Sequence, residues 1–518
     1  MKKRISALLA AVLAVCLLAG CANWDESVYT DDPLGELSHY YQTDTPEETP
    51  ALTTFVLPYL SGETLDPITC SDGIQWTLSC LLYEPLYRLN AQFEPENVLA
   101  QSESYDPETF TYTIRLRSVL FSDGTPLTAR DAADTLLRAQ QSVRYGARLQ
   151  DVTSITAPDS DTLRIQLSRD RRSFTALLDI PLVKSGTETS FIPVGTGPYV
   201  PSDNTDDLLT QNHYWWRSVS LPLQEIPLLA CKSQEAAAYA FSSHDVHLLV
   251  CDLTGTGGDV ASTSGSYTDA DTPIMQYLGF NLNRRLFQDE AMRKAISMAV
   301  DRTALVNAYL VGHGVAAQFP IHPASDLYPQ ELEQTYTADD CAAAMAELSM
   351  ADGEWIYSMT LLVNSENSFK VAAAQEIAAA LEQYDFDVTV NALPWDEFLA
   401  ALADGRYDMY YGECKLTADW DASALLGTGG SLNYGGWSDP ITDACLADCL
   451  KADDSRRAAA LESLCRRLQS QTPIIPLCFK RTSLLVPYGA VDHLTPTAAD
   501  PFSGLEHWEI HWGSTQDK

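Results

Sequence analysis

The stretch Met359–Leu393, MTLLVNSENSFKVAAAQEIAAALEQYDFDVTVNAL, decides the fold class. Met359–Asn364 is a short apolar run of strand character. Ser368–Gln383 brings Ala373, Ile377 and Leu381 onto one stripe at helical spacing, and Asp387–Leu393 reads as a second strand. Strand, helix and strand in this order make a βαβ unit. Its crossover is right-handed in nearly all proteins, and its ligand-facing loops sit at the carboxyl ends of parallel strands.

Helix and strand alternate on both sides of this unit. Towards the amino terminus, Thr109–Arg117 places Phe110, Tyr112, Ile114 and Leu116 on one face and Thr111, Thr113, Arg115 and Arg117 on the other, the pattern of a half-buried strand. A turn at Asp123-Gly124 leads to Thr128-Ala129-Arg130-Asp131, a capping-box-like start for a helix to about Gln140, and Thr162–Leu167 alternates again. Asp289–Val311 predicts one or two helices, with Met292, Ile296 and Ala299 on a stripe and Asp301 able to cap a second segment. The chain is too long for one ordinary core, which favours two or more lobes, and no fixed-period repeat occurs.

The first residues read as a secretion signal. Lys2, Lys3 and Arg4 precede an apolar run from Ile5 to Leu18, then Ala19, Gly20 and Cys21. Leu18-Ala19-Gly20-Cys21 looks like a lipobox, in which Cys21 is acylated and becomes the first residue of a lipid-anchored mature protein. From Ala22 to Pro50 there are eight acids and neither lysine nor arginine, the composition of a disordered tether. As a flexible coil it would span roughly 30 Å.

The formal charge of −37 argues against a nucleic-acid partner, because phosphate binding relies on clustered Lys and Arg. Twelve cysteines include Cys16 and Cys21, and the other ten are too sparse for a disulfide framework; no CxxC supports a zinc or redox site.

The order of short motifs resembles the extracellular solute-binding proteins of ATP-driven peptide and nickel importers, the oligopeptide- and dipeptide-binding family. Its pieces are Leu65-Asp66-Pro67, YEPL at Tyr83–Leu86, Val98-Leu99-Ala100, YTIRLR at Tyr112–Arg117, FSDGTPLTARD at Phe121–Asp131 and PVGTGPY at Pro193–Tyr199. They continue with Asn212-His213-Tyr214-Trp215, YLGFNLNR at Tyr277–Arg284, RKAISMAVDR at Arg293–Arg302, Asn433-Tyr434 and IIPL at Ile474–Leu477. Each piece alone is weak, and the set gains its force from its order along most of the chain.

The resemblance implies an α/β fold: a two-lobed, periplasmic-binding-protein-like clamshell of class II, with an extra subdomain in the first lobe. The expected boundaries are 1–20 for the signal peptide and 21–50 for the lipidated cysteine and tether. The first lobe takes 51–276 plus 486–518, with the subdomain at about 76–185, and the second takes 277–485. The chain would cross a hinge near 276 and again near 486. A monomer anchored on the extracellular face of the membrane would close on a small ligand, foremost a short peptide, and present it to the permease subunits of an ABC importer. No cofactor is implied. A nickel chelate, an oligosaccharide, or a sensory role that presents peptide to a receptor are the alternatives within the family.

For ligand contacts the resemblance points to Trp395 and to Asp419-Trp420, where relatives line the cleft with aromatics and pair a carboxylate with the peptide's ammonium. A desolvated carboxylate suits an ammonium, and aromatic faces accept side chains of many shapes. The chain departs from the peptide-binder pattern between Tyr407-Asp408 and Asp419. The segment YYGECKLTA there is about two residues longer than expected and adds Glu413 and Lys415, charges able to meet a zwitterion's ends or each other. Trp76, after the first strand, and Asn433 and Tyr434, in the Gly427–Gly436 loop, are further candidates. His313 and His322 flank a turn that in relatives lies near the cleft, the position for a metal-chelate ligand. An enzyme is disfavoured: there is no GxSxG, HExxH, Walker lysine or Rossmann glycine fingerprint, and His244 and His247 lack a third ligand at recognisable spacing.

Overall fold

The computed structural model describes residues 52–513 apart from 72, 204, 256–264, 353–356 and 385. The expected signal, Cys21 and the acidic tether lie outside the described residues.

The described residues open with β1 (Leu57–Leu60) and α1 (Ile74–Leu82), then a hairpin of β2 (Tyr87–Leu89) and β3 (Pro95–Asn97). There follow β4 (Ala100–Asp106), β5 (Thr111–Leu116), α2 (Ala129–Gln140), β6 (Val152–Thr156) and β7 (Thr162–Leu167). The last four strands form an antiparallel sheet in the order β4-β5-β7-β6. Tyr112, Ile114 and Leu116 of β5 are buried with Leu136 of α2, as the alternation of the sequence requires. The capping box is present: Asp131 N–H donates to the Thr128 hydroxyl, and the Asp131 carboxylate accepts from Thr128 N–H at 2.9 Å.

A second sheet combines β1 with β8 (Tyr199–Ser202), β9 (Thr205–Gln211) and β10 (Glu225–Cys231) in the order β1-β10-β9-β8. Helix α3 (Gln234–Ser242) and β11 (Leu249–Cys251) come next.

Beyond these comes a mixed sheet with helices on both faces. Its elements begin with β12 (Ser266–Phe280), α4 (Glu290–Ala299), α5 (Arg302–Tyr309), β13 (Gly314–Ala316), α6 (Ala338–Asp352), β14 (Tyr357–Asn364), α7 (Ser368–Glu382) and β15 (Phe386–Leu393). Next are α8 (Trp395–Ala403), β16 (Met409–Lys415), α9 (Ser423–Leu426), α10 (Pro440–Lys451), α11 (Asp454–Gln471) and β17 (Ile474–Val486). A short pair, β18 (Val491–Asp492) with β19 (Glu509–Ile510), completes the described chain.

The large sheet runs β11-β17-β12-β16-β14-β15, with β13 added on β17. The β14-α7-β15 unit is the predicted one: its strands are parallel from Tyr357↔Phe386 to Asn364↔Leu393, and Ala373, Ile377 and Leu381 are buried. Both faces are covered. Leu361, Val363, Met409 and Tyr411 turn to α4, α5 and α7, while Leu362 and Tyr410 turn to α8, α10 and α11. The two helices foreseen between Asp289 and Val311 are α4 and α5, and the carboxylates of Asp289 and Asp301 cap them.

Strands β12 and β17 are longer than their motifs suggested and join the two halves. The carboxyl-terminal part of β12 sits in the large sheet's core. The far end of β17 contributes Leu484 and Val486 to the core of the first lobe, with Phe55, Tyr199 and Trp508. Their pairing breaks register between Asp271 and Met275, opposite Phe479–Arg481. At the break the Thr272 hydroxyl donates to Lys480 O at 2.7 Å. The expected crossings near 276 and 486 fall within β12 and at the end of β17.

Candidate functional site

Strands β14, β15 and β16 run parallel, so Asn364, Leu393 and Lys415 end on one edge of the sheet. Across that edge lies the turn after β11, in the first lobe. Asn367 Nδ2 donates to Thr254 O at 3.1 Å, and the Lys480 ammonium pairs with Asp252.

A compact charged cluster occupies this junction. Glu413 Oε2 accepts from Lys370 Nζ at 3.1 Å and from Gln276 Nε2 at 2.9 Å, with Lys480 Nζ 4.0 Å away. Tyr411 OH in turn donates to Gln276 Oε1 at 2.7 Å, which fixes the amide's orientation. Burial works to raise the Glu413 pKa, but the ammonium groups of Lys370 and Lys480 and the Gln276 amide outweigh it, and the carboxyl sits below its ordinary value. The Lys480 side chain is 4 % exposed and that of Glu413 29 %, so the cluster is dry on the strand side and open on the other. Buried Asn364, at the end of β14, accepts Glu366 N–H at 3.1 Å, while its Nδ2 makes no hydrogen bond among the described residues. Trp395, at the start of α8, is 49 % exposed and stacks on Phe398 at 5.8 Å.

Asp419 stands elsewhere, and its partners belong to the chain. Its carboxylate accepts from Arg171 Nε at 2.9 Å and Nη2 at 2.6 Å, Ser173 Oγ at 3.2 Å and Thr417 Oγ1 at 2.6 Å. Burial pushes its pKa up; the Arg171 guanidinium and the Thr417 hydroxyl more than reverse this, leaving it below the usual carboxylate range. Trp420 is a core side chain, packed edge-on against Phe93 and Phe479. Glu413 and Trp395 therefore lie at the carboxyl-terminal edge of the parallel strands, whereas Asp419 and Trp420 are enclosed by groups of the chain.

The remaining candidates stand apart from the cluster. Asn433 orders its own loop: Nδ2 donates to Gly427 O and Trp437 O, and Oδ1 accepts Trp437 N–H. Tyr434 is half-buried, and its carbonyl accepts from Tyr407 OH at 2.8 Å. Trp76 is half-buried in α1. His313 faces Asp269 at 3.0 Å. His322 is fully buried between Phe93 and Phe479, with Nδ1 accepting Ala324 N–H. Among the described residues no three His, Cys, Asp or Glu side chains converge as a metal site.

Sequence reasoning missed Lys370, Lys480, Asp252, Gln276 and Arg171. Only Arg171 carried a local signal, in the charge-dense run Ser168-Arg169-Asp170-Arg171-Arg172-Ser173.

Two α/β lobes joined by a pair of strands, with a polar cluster between them, define the class of two-lobed solute-binding proteins. Comparison makes the assignment specific: the chain belongs to the bacterial extracellular solute-binding proteins, family 5, whose middle-region profile matches residues 94–434. The glutathione-binding protein GsiB of Escherichia coli (strain K12) is 24% identical over 450 residues, which cover 81% of this chain and 87% of that protein. Among solved structures, the periplasmic murein tripeptide-binding protein MppA, in its unliganded open form, superposes with a TM-score of 0.74 at 19% identity, covering 89% of this chain and 98% of that one. A nickel ABC transporter protein from Bacillus halodurans gives 0.72 at 19%, covering 86% and 97%. The family consists of extracellular or periplasmic binding components of ABC importers, not enzymes. No described helix is long and apolar enough to cross a membrane.

Proposed function

We propose that this protein captures a short peptide with free amino and carboxylate ends and delivers it to an ABC permease, held at the membrane by an acylated Cys21. The observation that carries this reading is the cluster of both signs at the lobe junction. Glu413 and Asp252 are paired with Lys370 and Lys480, but unlike the enclosed Asp419 their carboxylates are partly exposed, so a zwitterion's ammonium and carboxylate would exchange with these pairs. Charged partners in a partly desolvated site recognise the ends of a peptide whatever its sequence, and half-exposed Trp395 offers a tolerant apolar wall. Asn364 Nδ2, without a hydrogen-bond partner among the described residues, is a donor suited to a peptide carbonyl. The names of GsiB and MppA, binders of glutathione and of a murein tripeptide, support a small peptide. Lobe closure would strengthen each charge pair by expelling water.

Native mass spectrometry of the protein as purified tests this. A set of peptide masses carried by the protein is the expected result; a discrete metal chelate or a glycan would overturn the peptide reading.

A further inference from the structure

The loop Ser168–Ser173 leaves the antiparallel β4–β7 sheet and reaches the second lobe. Arg171, its side chain 3 % exposed, pairs with Asp419 at 2.6 Å and Asp421 at 3.3 Å in the second lobe, and with Asp151 at 2.9 Å in its own subdomain. Arg172 N–H donates to Leu450 O at 2.9 Å, and its guanidinium lies 3.5 Å from Asp453. Tyr112 OH donates to Arg171 O at 3.0 Å and ties the loop to its sheet. Beside it, Phe93 of the subdomain packs on Trp420 and His322 of the second lobe. Each of these partners is a group of the chain, so the junction is complete without a solute.

We propose that Arg171 is a built-in latch: its guanidinium joins Asp151 to Asp419 and Asp421 and holds the subdomain against the second lobe, so that the chain's own cation, not a ligand's, closes this side of the clamshell. The charge count supports the direction. Arg169 also pairs with Asp151 at 2.8 Å and lies 3.8 Å from Asp421, while Asp419 takes its ion pair from Arg171. Without Arg171 the Arg169 guanidinium is left facing three carboxylates, and the fully buried Asp419 loses its ion-pair partner, which favours separation of the lobes. The latch also keeps Asp419 from a ligand's ammonium, because its acceptor positions are filled. It is independent of which solute the protein carries, since it concerns only contacts between the lobes.

Small-angle scattering and hydrogen exchange on protein stripped of solute, wild type against Arg171→Met, provide the test. The wild type is expected to stay compact at low salt, with a slowly exchanging Arg172 amide. Arg171→Met should show a larger radius of gyration and exchange at Arg172 faster by about tenfold or more, with the amides of α2 unchanged. Equal radii and equal exchange in the two proteins would overturn the latch. Should Arg171→Met fail to fold, Arg171→Gln replaces it, with the same expected direction. The wild type alone also decides: an Arg172 amide exchanging as fast as an unfolded peptide means that no latch exists.

Discussion

Phe93 and Trp420, both held at positive φ (64° and 55°), meet edge to face at 5.2 Å between the subdomain and the second lobe. Left-handed backbone costs a bulky L residue about 1 kcal/mol or more, and it persists where the surroundings over-determine it. Around Phe93 the determinant is the Asn90 side chain, whose Oδ1 accepts both Gln92 and Glu94 N–H. For Trp420 it is the turn closed by Trp420 N–H on Thr417 O.

Phe93→Ala is expected to destabilise the protein by about 3 kcal/mol, through lost burial and the cavity left over Trp420. Phe93→Gly should cost no more than Phe93→Ala, although glycine is ordinarily the poorer residue, because it adopts this φ without strain. Urea unfolding midpoints followed by tryptophan fluorescence give the comparison, and a markedly less stable glycine variant would contradict it.

Asp419→Asn removes a carboxylate from a guanidinium that still has Asp151 and Asp421. Breaking a buried pair on one side is expected to cost about 2–4 kcal/mol. Because Arg171 already fills this carboxylate, peptides with free and acetylated amines should lose affinity equally on substitution, as calorimetric titration would show. A loss confined to free amines would return Asp419 to the ligand site.

Glu413→Gln is the complementary case. Loss of a charge-assisted contact should weaken binding of a free-amine peptide by about 10- to 100-fold and leave the N-acetyl form nearly unchanged. Equal affinities for wild type and variant would place the amine elsewhere.

His322 provides a pH dependence. Burial holds its pKa down at about 4, although Asp271 nearby favours the cation. The folded state therefore binds this proton less readily than the unfolded chain, whose histidine titrates near ~6.5. The stability contributed by neutral His322 is fully present above about pH 6.5 and is lost as pH falls towards about 4, by up to ~3 kcal/mol. Asn at this position keeps an acceptor for Ala324 N–H, so His322→Asn should flatten the difference in denaturation midpoint between pH 7 and pH 4.5. An unchanged slope would exclude His322 as its source.

Cys21→Ser is expected to release the protein from washed membranes without altering solute affinity; continued retention in the membrane fraction would contradict the anchor.

The sequence by itself determined the local elements and the family. The β14-α7-β15 unit follows from one apolar stripe between two strand patterns, the start of α2 from Thr128 and Asp131, and the starts of α4 and α5 from Asp289 and Asp301. In each case the physics acts between residues a few positions apart. Trp395 was named from the resemblance to the family, and Glu413 because the segment that carries it departs from the peptide-binder pattern. Asp419 was legible as an important carboxylate but not as to its partner, since ammonium and guanidinium satisfy the same oxygens. Only the tertiary structure decided that the partner is Arg171, 248 residues earlier, and that Lys480 meets Asp252 across 228 residues. Those pairings depend on the register of β12 against β17 and on how the two lobes meet, and no local periodicity encodes either.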